Sequence, residues 1–265
     1  MKEKAKSRLG RKEPGREAGL LRIYGRRPVL MALQKRAVRR LWVAQQARGD
    51  SIQRIVRLSS EQKIEVLPLD MEHLGKEAEA VHQGVMAEVV PPAVRRDLEA
   101  FVDEVTTENP WALLLILDGI EDPQNFGAVL RAAECAGVHG LIISGRRRAP
   151  LSAAVVKASA GALFSLELVE VPNLHQAVRF LKENGLWVVA ATGEGEIAYS
   201  DFDWRRPVAL IMGAEGRGVS PLLKKTADVR IRIPLSGTVE SLNVSVATGV
   251  LLFECLRQRS KGANG

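Results

Sequence analysis

A chain of 265 residues, 46% hydrophobic and 26% charged, suits a globular protein of one or two domains, each with a real core. Its two cysteines, Cys135 and Cys255, lie far apart and outside any CxxC or Cys/His spacing, which argues against a metal site and for a reducing, cytoplasmic compartment. The net charge of +7 is local, because residues 1–27 hold ten Lys/Arg against three Glu and the remainder sums to zero.

The opening MKEKAKSRLGRK is basic, but no apolar run follows it, so it is not a secretory signal. Residues 1–21 lack apolar periodicity, carry Gly10, Pro14, Gly15 and Gly19, and read as a disordered basic arm. Such an arm is either a solvated tail or a grip for polyanions, and its pattern favours nucleic acid.

A small α/β unit follows over 22–92. Its expected elements are a helix over 28–37, a strand over 39–46, a helix over 51–63, a strand over 64–70, a helix over 71–78 and a strand over 84–90. Pro91-Pro92 closes it, and the polar stretch 93–110 reads as a linker or linking helix. From 111 to 260 the pattern alternates. Strands are expected at 113–120, 140–144, 165–171, 186–192, 208–213 and 229–234, with helices over 125–137, 152–163, 173–184 and 220–228. Apolar strands without strict alternation, separated by helices, indicate a parallel sheet covered on both faces.

The last helix, opened by Ser241 as N-cap and running over 242–256, is apolar nearly all round. It is too short and too interrupted by polar residues to span a membrane. Its composition therefore predicts one face on its own sheet and another on a partner subunit.

Ligands bind beyond the carboxyl ends of the strands in an open α/β sheet. Three polar stretches fall at such ends: DGIEDPQNFGAVLRAAE (118–134), MGAEGRG (212–218) and LSGTVESLN (235–243). The glycine loop TGEGE (192–196) is a lesser candidate. In the first, Arg131 and Glu134 share a helical face, which by itself fits a surface ion pair. In the second, glycines allow backbone to approach a ligand and Glu215 adds a carboxylate; it is not a GxGxxG fingerprint. In the third, Asn243 stands where unpaired N–H groups open a helix.

In this order and spacing, DPQNFGAVLRAAECAG (122–137), LIMGAEGRGVS (210–220) and IPLSGTVESLNVSVA (233–247) resemble the three motifs of the SpoU family. These are AdoMet-dependent RNA 2′-O-ribose methyltransferases of the knotted SPOUT class. GRRPVLMAL (25–33) and HQGVMAEV (82–89) are similar to that family's L30e-like substrate-binding domain. The resemblance covers roughly 22–260. It implies an α/β fold with a C-terminal trefoil knot, S-adenosyl-L-methionine as cofactor, no metal, and a homodimer. It further implies that Gly213, Ile233 and Leu242, with Thr192 and Gly193 at the edge, line the cofactor site. Asn125, Arg131, Glu134, Glu215, Ser241 and Asn243 would surround the reaction centre. Within the family it points to bacterial enzymes that methylate a guanosine in the peptidyl-transferase P loop of 23S rRNA. A tRNA enzyme, an adenosine-specific rRNA enzyme and a non-catalytic assembly factor on the same scaffold are the alternatives.

Overall fold

Eight parallel strands carry the larger part of the chain. In the computed structural model, which describes residues 19–69 and 82–262, they are β5 (Val94–Arg95), β6 (Leu113–Asp118), β7 (Gly140–Ser144), β8 (Leu168–Val171), β9 (Trp187–Ala191), β10 (Ile197–Ala198), β11 (Val208–Gly213) and β12 (Val229–Arg232). They lie in the order β10-β12-β9-β11-β6-β7-β8-β5, and every pairing is parallel. Most of the basic arm and the helix expected over 71–78 fall outside the described residues.

Alternation along β6 divides two cores. Leu113, Leu115 and Leu117 face a layer built from α4 (Pro123–Cys135), α5 (Ala153–Ala158) and α8 (Val244–Gly262). Leu114 and Ile116 face α3 (Leu98–Glu108), α6 (Leu174–Glu183) and α7 (Pro221–Thr226). With both faces buried, strict polar alternation is absent, as the sequence pattern required.

The small unit is a four-stranded sheet in the order β1-β4-β2-β3, made of β1 (Leu21–Tyr24), β2 (Val38–Val43), β3 (Val66–Pro68) and β4 (Val85–Val89), with helices α1 (Arg26–Gln34) and α2 (Asp50–Glu61). It is not a bead on a string. Its buried Ile23, Leu33, Leu41 and Ile55 belong to the same apolar cluster as Val155, Val156 and Leu163 of the larger part. A Cβ on Gly161 would stand 3.0 Å from both Met31 Cβ and Pro28 Cα. Within the unit, buried Glu88 on β4 is met by Arg22 at 3.0 Å and Arg40 at 3.6 Å from the flanking strands, which supplies the partners a buried carboxylate needs.

The structure refines the sequence reading in several places. In the stretch 93–110, read as a linker or linking helix, there is a helix, and it is packed: β5 pairs with β8, and α3, capped by Asp97, buries Phe101, Val102 and Val105 in the second core. The helix expected over 152–163 breaks at Ala160 and Gly161, both at positive φ, and resumes as a short 3-10 turn at Ala162–Phe164. The last helix begins at Val244 rather than behind Ser241. Its cap is Asn243, whose Oδ1 accepts from the Ser245 N–H at 2.9 Å and whose carbonyl accepts from Ala247.

β12 lies between β9 and β10, two strands joined only by residues 192–196. The fit there is close enough that a Cβ on Gly195 would sit 2.2 Å from the Ile231 carbonyl carbon. Only glycine allows such backbone contact.

Candidate active site

The carboxyl ends of β9, β11 and β12 surround a cavity of about 280 Å³. Its apolar wall is Met212, Ile231, Ile233, Leu242, Val244 and Leu251, and its polar groups come from Thr192, Glu215, Lys224, Glu240 and Ser241. Thr192, Gly193, Gly213, Ile233 and Leu242, expected at a cofactor site, all line it. Gly213 is required for a local reason: its Cβ would strike Gly218 carbonyl carbon at 2.0 Å, where the loop 214–218 folds back on the strand end. Gly216 and Gly218 turn that loop at φ 77° and 65°, conformations costly for any residue with a Cβ.

Asp118, at the end of β6, fixes the same loop by accepting from the Ser220 N–H at 2.7 Å. Four residues later Asp122 caps α4, accepting from the Asn125 N–H at 2.7 Å, with Pro123 in the first turn; both choices suit a helix start. The helix therefore opens at Pro123, earlier than the expected 125.

Three sequence-distant residues then meet. Asn125 Nδ2 donates to Glu215 Oε2 at 2.9 Å, and Asn243 Nδ2 donates to Asn125 Oδ1 at 2.8 Å and to Glu215 Oε2 at 3.3 Å. The amide orientations are not free choices. Asn243 Oδ1 must face the Ser245 N–H, so its NH₂ faces Asn125; Asn125 must then present oxygen to Asn243 and NH₂ to the carboxylate. The network joins α4, the β11 loop and the start of α8 on the rim of the cavity.

Other expected site residues stand apart from it. Ser241 lines the cavity but is exposed and is not the helix cap. Arg131 is exposed and makes no hydrogen bond or ion pair among the described residues. At 100° per residue, six positions carry it about 240° round α4 from Asn125, so the two leave the helix in different directions. Glu134 is half-buried and meets only the Cys135 thiol, at 3.7 Å; it does not pair with Arg131. Lys224 and Glu240, also on the cavity wall, were not singled out: Glu240 falls within the polar stretch 235–243, whereas Lys224 lies in α7, away from any strand end.

The cavity fits an amphiphilic nucleoside ligand. Its wall is mainly apolar, and it offers the Thr192 hydroxyl, which is buried and has no hydrogen-bond partner among the described residues. A buried hydroxyl without a partner is costly, so a ligand acceptor or donor there would be favoured. Among the described residues no cluster of His, Cys, Asp or Glu could hold a metal, and no helix is long and apolar enough to cross a membrane.

Comparison with known proteins agrees. Residues 112–253 match the model of the SpoU rRNA methylase family, and residues 22–94 match that for RNA 2′-O ribose methyltransferase substrate binding. A relative from Pseudomonas syringae pv. tomato, the 23S rRNA (guanosine-2′-O-)-methyltransferase RlmB, is 41% identical over 91% of this chain and 97% of its own length. The SpoU methyltransferase AviRb from Streptomyces viridochromogenes, solved in complex with the cofactor AdoMet, has a TM-score of 0.72 at 29% identity, covering 92% of this chain and 91% of that one. The A. aeolicus TrmH/SpoU tRNA modifying enzyme has a TM-score of 0.54 at 29% identity and covers 63% of this chain and 86% of its own. A family model spanning more than half the chain, with relatives matched almost end to end, settles membership: the chain belongs to the SpoU rRNA methylase family.

Proposed function

We propose that this chain transfers a methyl group from S-adenosyl-L-methionine to the ribose 2′-OH of a guanosine in 23S rRNA, in the peptidyl-transferase P loop. It does so in the cytoplasm, as a homodimer. The observation that carries the reading is the junction of Asn125, Glu215 and Asn243 on the rim of a cavity with a free buried hydroxyl. The tRNA enzyme from A. aeolicus matches a smaller share of this chain than the RlmB relative does, which favours rRNA over tRNA.

Bound cofactor supplies an electrophilic methyl on sulfonium; the chain must hold it, align the ribose and favour loss of the hydroxyl proton. Gly213, Ile233 and Leu242 would hold the nucleoside, with Thr192 and Gly193 at its edge. The Asn125–Glu215–Asn243 network fixes the loop on which the ribose rests, and Ser241 faces the same space. Arg131 is assigned to charge rather than proton removal, because a guanidinium stays protonated; unpartnered and exposed, it is free to hold a phosphate and stabilise developing negative charge on oxygen. Glu134 stands beside it on the helix.

Placement of β12 between β9 and β10 supports a knotted C-terminal segment. The dimer reading rests on α8: Val246, Phe253 and Leu256 are exposed apolar residues on that helix, with Leu242 just before it. Val246, Phe253 and Leu256, seven and three residues apart, share one face of the helix, and that stripe is uncovered by the described residues.

The test is single-turnover methyl transfer to a 23S rRNA fragment, with the same fragment carrying 2′-deoxyguanosine at the mapped position. One methyl per RNA is expected, lost in the deoxy substrate, from a species of twice 29.0 kDa. Transfer to tRNA alone, to a base atom or to nothing would overturn the activity, and a fully active 29.0 kDa species would overturn the dimer.

A further inference from the structure

The carboxyl edge of the sheet has a second half, away from the cavity, and it is rich in arginine. β7 ends in Ser144, and the loop Gly145-Arg146-Arg147-Arg148 follows before α5. Both ends of this loop are fastened. Ser144 Oγ donates to the Arg146 carbonyl, and the Ala149 N–H donates to the Ile120 carbonyl at 3.0 Å. Arg148 donates to Glu170 Oε2 at 2.9 Å, and Arg96, which follows β5, stands 3.9 Å from the other oxygen with its side chain 85% exposed. Gly145 lies against the same carboxylate, a Cβ there falling 3.3 Å from Glu170 Cδ.

One carboxylate therefore answers to two arginines, and none answers to the other two. The guanidinium groups of Arg146 and Arg147 are exposed and make no hydrogen bond or ion pair among the described residues. Arg147 is held at φ 56°, a conformation unfavourable for a side chain of this size and more often retained where function uses it.

Position says what this charge is for. The loop's bond to Ile120 ties it to the segment that enters α4, and hence to Asn125. β7 neighbours β6 and β6 neighbours β11, so two strand spacings, about 10 Å, separate the arginine loop from the Gly213 end of the cavity. Beyond the loop, α5 packs on β1 of the small unit. The arginines thus bridge the unit matched as substrate-binding and the rim of the cavity.

We infer that Arg146 and Arg147, with Arg96 beside them, grip the phosphates of the RNA strand that flanks the target nucleotide. This rests on the methyltransferase reading and extends it to a residue-level RNA contact. Arginine suits the task because its planar fork pairs bidentately with phosphate oxygens. Arg148, occupied by Glu170, shapes the loop and does not itself contact RNA. The grip is a positioning device and does not read sequence.

The experiment compares wild type with Arg146→Gln, Arg147→Gln and the double variant, using Arg179→Gln on α6, an exposed i,i+4 partner of Glu183, as a charge control. The RNA KM, the salt dependence of RNA binding and the AdoMet Kd are measured for each. The double variant should raise KM for rRNA roughly tenfold at 0.15 M salt and lower the log–log salt slope by about 0.7–0.9 for each phosphate left without its arginine. The methylated nucleotide and the AdoMet Kd should stay as in wild type. A double variant with wild-type KM and slope, or an Arg179→Gln control that weakens binding as much, would overturn the inference while leaving the activity standing. Absence of methyl transfer by wild type would instead remove the reading on which it rests.

Discussion

The two ends of the eight-stranded sheet treat their polar groups differently. At the amino ends they are paired. Arg259 donates to the carbonyls of Trp111, Trp204 and Arg206 at 2.6, 3.0 and 3.0 Å. Asp228 accepts from the Val188 N–H at 2.8 Å and pairs with Lys182 at 2.9 Å. Hydrogen bonds from Arg205, then Arg206, hold the Asp203 carboxyl down at about 2, and Arg206 also lies over the Trp187 ring at 4.7 Å. At the carboxyl ends the Thr192 hydroxyl is buried without a partner among the described residues, and Arg146 and Arg147 are exposed. One end spends its polar groups on holding α8 and the loops to the sheet. The other also fastens its loops, through Asp118, Asp122 and the Asn125–Glu215–Asn243 network, but leaves the Thr192 hydroxyl, Arg146 and Arg147 open to ligands, as the carboxyl edge of an open α/β sheet does. Stability and activity should therefore separate by end.

The largest expected effect, on activity without a matching effect on stability, is that of Arg131→Ala. An exposed residue without partners contributes little to the fold. If it serves transition-state charge, its loss should cut methyl transfer about a hundredfold or more at saturating substrates. Thermal unfolding and AdoMet affinity should stay within error of wild type. A variant with near-normal single-turnover rate would remove Arg131 from the mechanism; one that unfolds early would show that Arg131 also supports the fold.

The matching probe of the amino ends is Trp204→Ala. Trp204 is fully buried, meets Phe202 edge-on at 5.0 Å, and its indole N–H donates to the Tyr199 carbonyl at 3.0 Å. Truncating such a residue costs about 3–5 kcal/mol, and for a chain of this size each kcal/mol lowers Tm by roughly 2–4 °C. Below the transition the cavity lies at the far ends of the strands, and AdoMet binding should survive. A loss of AdoMet affinity in folded protein, with little change in Tm, would refute the separation.

How much of this was legible follows the same division. Apolar runs such as 113–117, 140–143 and 208–213 announced buried parallel strands because both faces of the sheet are covered. The residues of the Asn125–Glu215–Asn243 junction could be named from their motifs, but not the contact among them, since 118 residues separate Asn125 from Asn243. What stayed hidden was set by tertiary contact. In 93–110 a linking helix was open to the sequence reading, but not that Phe101, Val102 and Val105, on one side of it, enter the second core. The break at Ala160 and Gly161 answers to Pro28 and Met31 of the small unit, which no local pattern could report. Ser241 looked like the better helix cap, yet Asn243 took that position because its side chain also closes the network with Asn125 and Glu215. Arg259 was a polar residue near the end of a helix, and only the fold shows three carbonyls converging on it.

The smallest expected effect concerns pH and again belongs to the amino ends. His139 precedes β7, and its Nδ1 accepts from the Leu113 N–H at 3.0 Å. Burial lowers its pKa below the ordinary 6.5, and the nearby charge of Arg259 acts in the same direction. The folded state therefore keeps the imidazole neutral where the unfolded chain would protonate it. Between the two pKa values the unfolded state binds more protons, so stability rises with pH across that window. Its contribution is complete above 6.5 and is lost as pH falls toward the lower folded value. Equilibrium unfolding of wild type and His139→Asn, measured from pH 5 to pH 7.5, should show a shallower loss on acidification in the variant. Methyl transfer, read at constant fraction folded, should show no such difference, because His139 lies at the end of the sheet away from the cavity. Equal acid slopes for the two proteins would mean that the imidazole takes up its proton without disturbing the fold, and the pairing at this end would then be looser than the geometry implies.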